Sequence, residues 1–113
     1  MSRSGRQAEA LAALFLQQHG IEVIARNYRC RLGEIDLIAR DGTTLVFVEV
    51  RMRTSQAFGG AAASITARKR RRLTSAARHY LAGAPRMPAC RFDALLVNGA
   101  DRSLEWIKNA FGE

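Results

Sequence analysis

Long apolar runs, cysteines and lysines are scarce in this sequence. No segment approaches the roughly 20 apolar residues that a membrane-spanning helix needs, which argues against a membrane protein. Residues 1–8 lack the apolar core of a signal peptide, so we expect a cytoplasmic protein. Cys30 and Cys90 then favour free thiols over a disulfide framework. Together with His19 and His79 they do not fall at zinc-ligand spacing, and we expect no structural zinc.

Acidic residues are outnumbered by basic ones, 10 to 18, and the formal net charge is +8. Apart from Lys69 and Lys108 the basic residues are arginines, whose planar guanidinium matches phosphate well. A GC-rich genome would explain the preference for arginine over lysine, but it would not explain the excess of positive charge. The excess therefore favours a polyanionic partner.

Residues 1–113 are predicted to form one α/β domain. Such a chain can bury roughly 65% of its unfolded surface, which is enough for a core without disulfides or metal. Its 48% hydrophobic and 25% charged residues are typical of a folded globular protein. Periodicity, capping and turn signals predict one sheet flanked by helices. The elements are a helix from Ser4 to Gly20, strands at 21–30, 34–40 and 43–53, a helix from Ser64 or Thr66 to Ala82, and strands at 92–97 and 103–107.

A hairpin centred on Asp41 and Gly42 would bring carboxylates together on one face of the sheet. With these two residues as the turn, Asp36 and Glu49 become diagonal neighbours whose backbones lie roughly 7–8 Å apart. Side chains two residues apart in a strand share a face, and the opposite face, which includes Ile35 and Leu37, is predicted to be apolar. The charged face is predicted to carry Glu34, Asp36, Glu49, Arg51 and Arg53.

Spacing alone leaves two interpretations of these carboxylates open. Like charges placed together on a sheet cost stability, and a divalent cation such as Mg²⁺, which binds carboxylate oxygens, would offset that cost. Alternatively, Asp36 and Glu49 pair with Arg51 and Arg53 in a structural ion-pair network. The spacing favours neither.

The segment from Gly33 to Arg51, GEIDLIARDGTTLVFVEVR, resembles the YraN-like family of uncharacterised bacterial proteins. That family is similar to archaeal Holliday-junction resolvases and to the wider restriction-endonuclease-like, or PD-(D/E)xK, superfamily. The resemblance implies a restriction-endonuclease-like three-layer α/β fold, with a central mixed sheet flanked by helices. It covers most of the chain and also includes Gly5–Leu11 with Glu9, Arg26–Tyr28, Phe58-Gly59, Thr66–Leu73, Arg91–Asp93 and Asn109–Phe111.

The resemblance implies a metal-dependent endonuclease that hydrolyses phosphodiester bonds of DNA, including branched or irregular DNA. Asp36 and Glu49 would bind Mg²⁺ or Mn²⁺, and Glu9 would correspond to an additional acidic residue of the resolvases. Arg51 replaces the lysine that such nucleases place two residues after the glutamate. Because arginine stays protonated, Arg51 cannot act as a general base, although it can hold a phosphate or stabilise the transition state.

Arg51 keeps a second interpretation open, a catalytically degenerate nucleic-acid-binding domain that retains the nuclease fold. A third is a basic module that binds RNA, in which the carboxylates are purely structural. The partner is nucleic acid in every case, and DNA in the first. The similarity to resolvases also makes a homodimer an alternative to a monomer.

The second helix begins with the basic run ARKRRR, residues 67–72. Lys69 falls within the apolar stripe of this helix. There it either snorkels past the core or brings its amine to the carboxylates in place of the missing lysine. The arginines outside the stripe form either a solvated helix face or, together with an arginine of the third strand, contacts to phosphate. These predicted nucleic-acid-binding residues are Arg53, Arg68, Arg70 and Arg71.

On the fourth strand, Arg91 and Asp93 are predicted to form a structural pair rather than a chemical site. Trp106 is most simply explained by core or edge packing. No glycine-rich phosphate loop and no Ser-His-Asp or Cys-His set is visible in the sequence.

Overall fold

A computed structural model of the chain describes residues 3–53, 66–84, 86 and 88–110. Within these residues the helices and strands follow the predicted order, and no helix among them is long and apolar enough to cross a membrane. The predicted loop at 54–63 and the alternative helix start at Ser64 lie outside the described residues. The elements are α1 (Arg3–Gln18), β1 (Glu22–Cys30), β2 (Gly33–Asp41), β3 (Thr44–Arg53), α2 (Ala67–Leu81), β4 (Cys90–Asn98) and β5 (Leu104–Ile107).

The described strands form one mixed sheet in the order β1-β2-β3-β4-β5. β3 and β4 run parallel, and the other neighbouring strands are antiparallel. Parallel strands need a crossover connection, and α2 lies in the one that joins β3 to β4. The predicted α/β sheet flanked by helices is confirmed, because each helix covers one face with its own apolar cluster. The clusters contain Ala12, Leu16, Leu37 and Val48 on the α1 side and Leu73, Ala76, Ile35 and Phe47 on the α2 side.

The first helix ends at the glycine that the sequence predicted. The backbone N–H of Ile21 donates to the carbonyl of Leu16 at 2.9 Å, and Gly20 takes a φ of +78°. This is the glycine-capped end in which a residue without a Cβ adopts the left-handed conformation at no steric cost. At the other end the helix already includes Arg3, so the prediction that it begins at Ser4 is wrong.

The β2–β3 hairpin turns one residue later than predicted. Asp41 pairs with Thr44, so that Gly42 and Thr43 form the turn, and Gly42 takes a φ of +60°. Asp41 stays in the strand, where its carboxylate accepts a hydrogen bond from Nη1 of Arg91 at 3.1 Å. Each strand partner therefore shifts by two positions. Because side chains alternate with a period of two, the shift alone leaves each side chain on its predicted face.

The alternation of β2 breaks at Asp36. Ile35 and Leu37 belong to the clusters on opposite faces, although residues two apart in a regular strand share a face. In the β1–β2 ladder the break lies between the pairs Arg26–Leu37 and Tyr28–Ile35, and the β2–β3 ladder starts only at Leu37. The prediction that Ile35 and Leu37 share an apolar face is therefore wrong. In the described sheet, Asp36 has no ladder partner on either side.

Candidate metal-binding site

A cleft of about 320 Å³ opens where β2 breaks, between the sheet and the first turns of α2. Thr66 caps this helix, since its hydroxyl accepts a hydrogen bond from the backbone N–H of Lys69 at 3.2 Å. Residues four apart on a helix are neighbours, so Arg68 and Arg72 lie on the same side. The cleft thus brings acidic strand residues and basic helix residues together. Its described lining is Glu34, Asp36, Glu49, Thr66, Arg68, Lys69 and Arg72.

At Asp36 a hydrogen bond accepted by the side chain takes the place of a backbone hydrogen bond between β2 and β3. Its Oδ2 accepts a hydrogen bond from the backbone N–H of Val50 at 2.8 Å, at the point where β2 and β3 have separated. The last ladder pair is Leu37–Val48, so the hairpin register sets Asp36 opposite Glu49 rather than diagonal to it. The carboxyl groups of Asp36 and Glu49 are hydrogen-bonded to each other. The predicted proximity of these two residues is confirmed, although they lie directly opposite each other rather than diagonally.

The two carboxyl groups are protonated more readily than free ones. Burial, followed by the charge of Asp36, raises the pKa of Glu49 to about 8. Burial also raises the pKa of Asp36, although the hydrogen bonds from Val50 and Glu49 oppose that shift. The positive charge of Lys69 opposes the shift at both residues. At neutral pH Glu49 therefore keeps a proton, which it shares with Asp36.

Gly33 sets how closely α2 approaches the sheet. A Cβ at this position would lie 2.2 Å from the carbonyl oxygen of Arg72, a distance that real Cβ atoms do not reach. The absence of a side chain here lets the basic turn of α2 stand beside the acidic end of β2. Gly33 is therefore part of the construction of the cleft, although it carries no chemistry itself.

Glu9 approaches the same site from the α1 side of the sheet. It is buried, and Nδ2 of Asn27 donates a hydrogen bond to its Oε1 at 2.9 Å. Burial, followed by the charge of Asp36, raises the pKa of Glu9. The structure thus places Glu9 near Asp36, but not among the residues that line the cleft.

A second buried acid, Asp93 on β4, has a different environment. It is 0% exposed, and both of its oxygens accept hydrogen bonds. The predicted structural pair with Arg91 is confirmed, with Nε at 2.9 Å and Nη2 at 3.0 Å. Nε1 of Trp106 and the backbone N–H of Asn109 donate at 2.9 Å each. This group therefore joins β4 to β5 and the segment after it.

The sequence profile described as Uncharacterised protein family UPF0102 matches residues 8–97, a range that includes every residue of the cleft. The chain belongs to this family. A UPF0102 protein of Nitrosomonas eutropha is 60% identical over 109 residues, which cover 96% of this chain and 93% of the relative. A UPF0102 protein of Methylobacillus flagellatus is 54% identical over 112 residues, 98% of both chains. The predicted membership of an uncharacterised family is confirmed, and the similarity to resolvases and restriction endonucleases stays a prediction.

The basic residues that this UPF0102 chain brings to the cleft differ in part from those predicted. Arg68 and Lys69 line it, and Lys69 is exposed rather than packed in the core. Arg70 and Arg71 lie on the same helix but not in the cleft lining. Sequence reasoning missed Arg72, although its position four residues after Arg68 was a usable signal.

Arg51 on β3 contributes less to the cleft than predicted. Arg51 is half-buried and lowers the pKa of Glu49 by its charge, but it is not among the described residues that line the cleft. The side chain of Arg53 lies outside the described residues. The charge of Lys69, by contrast, acts on both Asp36 and Glu49.

The donor set of this UPF0102 protein fits a divalent ion with oxygen ligands. Among the described residues no three His, Cys, Asp or Glu side chains lie close enough together to hold a metal by themselves. Mg²⁺ is typically bound by one or two carboxylates, with water and substrate phosphate completing its shell. Asp36 and Glu49 match that pattern, because they share a proton where a cation could bind instead.

Proposed function

We propose that this protein is a metal-dependent endonuclease that hydrolyses phosphodiester bonds of DNA, on a restriction-endonuclease-like fold. The observation that carries the proposal is the cleft, in which a half-buried, hydrogen-bonded carboxyl pair stands beside three exposed cations of one helix. A carboxyl pair without enough hydrogen-bond donors is costly to fold, and a bound cation offsets that cost.

Asp36 and Glu49 are the residues that would hold Mg²⁺ or Mn²⁺. When bound, such an ion polarises the phosphate and lowers the pKa of its water. Asp36 is held in place by the backbone N–H of Val50, so its carboxylate does not need to reorganise when the ion binds. Glu49 must first release its proton, and metal binding is therefore expected to strengthen as pH rises.

The helix supplies the charges that a phosphodiester requires. Arg68 and Arg72 are exposed at the cleft and suit the non-bridging oxygens of phosphate. Lys69, which lies between them, is positioned to stabilise the charge that develops on the phosphate. A linear polyanion that follows α2 would meet all three cations in succession, which favours a nucleic-acid backbone over a small phosphorylated molecule.

A second candidate is a nucleic-acid-binding domain that has lost turnover. The observation in its favour is Arg51, which stands at the motif position, cannot accept a proton and does not line the cleft. Binding to DNA without cleavage would support this candidate. A DNA substrate also implies a cytoplasmic location and, if the substrate is a symmetric junction, a twofold homodimer.

The test is cleavage of linear, nicked, flap and four-way DNA in Mg²⁺ or Mn²⁺. Wild type is expected to cut at least one of these substrates, whereas Asp36→Asn and Glu49→Gln, purified in parallel, are expected to be inactive. Chelation by EDTA should abolish cutting. Equal cutting by wild type and both variants would reveal a contaminating nuclease, and no cutting by wild type would overturn the enzymatic proposal.

A further inference from the structure

The turn between β1 and β2 lies on the rim of the cleft. Cys30 and Gly33 form the last ladder pair, so Arg31 and Leu32 make a two-residue turn. A Cβ on Gly33 would lie 2.2 Å from the carbonyl oxygen of Arg72, which is one of the residues that line the cleft. The β1–β2 turn therefore stands directly beside the basic face of α2.

The residues of this turn are not those that a tight turn favours. Two-residue connections between antiparallel strands favour a positive φ, and therefore glycine or asparagine. Neither Arg31 nor Leu32 has a positive φ, whereas the β2–β3 turn uses Gly42 at +60°. Side chains that do not suit the local backbone are found chiefly at functional sites. The β1–β2 turn is thus a candidate contact surface.

Arg31 extends the row of cations along the cleft. It is exposed and has no ion-pair partner within the part of the chain that the structure describes, and the same is true of Arg68 and Arg72. Arg29, two residues earlier, is already paired with Glu34 at 3.5 Å. Unpaired guanidinium groups in a row suit the phosphates of a polynucleotide. A nucleic-acid strand that leaves the cleft past Arg72 would meet Arg31 next.

Leu32 adds an apolar side chain to the same turn, and this side chain is 49% exposed. A single exposed leucine is ordinary on a protein surface, but this one follows an arginine that is available to phosphate. The apolar surface of DNA lies on the faces of its bases, which are stacked in a continuous duplex. An apolar side chain can insert between them only if they unstack, and the cost is smallest where the stack is already interrupted.

We propose that the β1–β2 turn recognises an interruption in the DNA duplex, with Arg31 bound to a backbone phosphate and Leu32 packed against the base exposed there. This inference rests on the proposed function and deepens it, because it names the part of the protein that selects the substrate. The substrate class is duplex DNA with a nick, gap or flap beside the cleaved bond. The turn determines specificity and takes no part in the chemistry.

Leu32→Gln tests the apolar contact, because it replaces leucine by a polar side chain of similar length. The matched control is Leu14→Gln, since Leu14 is 51% exposed on α1 and glutamine is about as good a helix former as leucine. Binding to a nicked duplex and to a continuous duplex of the same sequence is measured by fluorescence anisotropy in EDTA, so that no cleavage occurs.

Wild type is expected to prefer the nicked duplex. Leu32→Gln should bind the nicked duplex about 3- to 10-fold more weakly, the scale of burying the exposed half of a leucine side chain. Its affinity for the continuous duplex should not change, and Leu14→Gln should behave like wild type. A 2-aminopurine base beside the nick should brighten when wild type binds and brighten less with Leu32→Gln, which a merely structural role would not cause.

Arg31→Ala tests the phosphate contact. It should weaken binding to both duplexes and reduce the slope of log affinity against log salt concentration by about 0.9, the value for one phosphate of duplex DNA. Arg86→Ala is the matched control, because Arg86 is exposed but lies beyond the C-terminal end of α2, away from the cleft. An unchanged slope in Arg31→Ala would overturn the phosphate contact.

The possible results separate this inference from the proposed function. If wild type binds neither duplex, the proposed function fails and this inference fails with it. If wild type binds DNA but does not prefer the nicked duplex, or if Leu32→Gln keeps the full preference, only the role of the turn is overturned. Equal losses in Leu32→Gln and Leu14→Gln would overturn it as well. Preferential binding that depends on Leu32 but is never followed by cleavage would support the turn and overturn the enzymatic proposal.

Discussion

The sheet carries two acidic centres on neighbouring strands, one buried and one half-buried, and they are built in opposite ways. Asp93 on β4 is surrounded by donors from Arg91, Trp106 and the backbone of Asn109. Glu49 on β3 has an acidic neighbour, Asp36, as its hydrogen-bond partner. The acid of the first centre is fully hydrogen-bonded to donors in the folded chain, whereas the two acids of the second are hydrogen-bonded to each other.

The two centres differ in hydrogen-bond donors as well as in depth, since Asp93 is fully buried whereas Asp36 and Glu49 are half-buried. Asp93 raises the pKa of Arg91, so each partner stabilises the charge of the other. In the cleft, burial raises the pKa of both Asp36 and Glu49, and the positive charge of Lys69 offsets this only in part. Carboxyl groups with perturbed pKa values are common at ligand-binding sites, because the charge that would stabilise them is supplied by the ligand rather than by the protein. The contrast makes three predictions.

The largest expected effect is on stability. Asp93→Asn leaves Arg91 with Asp41 as its remaining counter-charge and removes the fully buried partner, and breaking such a buried pair costs about 3–5 kcal/mol in free energy of unfolding. Asp36→Asn should cost far less or stabilise the metal-free protein, because it removes a repelled charge. Urea denaturation of both variants without metal measures the difference. An equal loss in both would show that the two centres are alike.

The next effect is on catalysis. Lys69→Ala should slow metal-dependent cleavage by about 10²- to 10³-fold, the usual loss when one transition-state-stabilising donor is removed. Arg51→Ala should change it less, because Arg51 is not in the cleft lining. Lys108→Ala is the matched control, since its Nζ lies 4.5 Å from the ring centre of Trp106, which contacts Asp93 rather than the cleft. If Arg51→Ala is inactive while Lys69→Ala remains active, the prediction is wrong and the catalytic cation is Arg51 on β3.

The smallest effect is on the pH dependence of stability. The pKa of Glu49 is about 8 in the folded chain against an ordinary value of 4.5, so between these pH values the folded state binds more protons than the unfolded one. The free energy of unfolding of the metal-free protein should therefore fall as pH rises through this window. We expect a fall of about 1–2 kcal/mol, because water in the open cleft screens the carboxyl group.

Thermal or urea denaturation at several pH values measures this fall. Glu49→Gln should remove most of it, since the amide does not titrate. Glu22→Gln serves as the control, because Glu22 is exposed and pairs only at the surface with Arg40 at 3.2 Å. A stability profile that is the same in all three proteins would show that Glu49 titrates normally, and the contrast with Asp93 would then lose its electrostatic basis.

Local signals in the sequence were sufficient for much of this architecture. The order of helices and strands follows from periodicity, and Gly20 was recognisable as a helix stop. The prediction that Asp36 and Glu49 lie on the same face of the sheet is correct although the turn was predicted one residue too early. A shift of two positions between the strands does not change the face on which a side chain lies. The central pair was therefore predictable even though the hairpin register was not.

The remaining features depend on contacts between distant parts of the chain. The break at Asp36 requires the left-handed backbone of Asn27 and the N–H of Val50, and neither is visible as a pattern within β2. The turn at Gly42 and Thr43 depends on Asp41 being held in the strand by Arg91, 50 residues later in the chain. Lys69 was placed correctly on its helix, but the sequence could not show that this turn extends beyond the core.

The close contact at Gly33 has a consequence for attempts to re-engineer the protein. Because the carbonyl of Arg72 occupies the space of a Cβ at position 33, any larger residue there would force the backbone of α2 or of β2 to shift. Substitutions at position 33 would change the distances from all the helix cations to the carboxylates at the same time. The effect of any one of these distances on activity could then not be separated from the others. Selection for altered substrates should keep Gly33 fixed and randomise Arg68 and Arg72, whose exposed side chains can change without moving the scaffold.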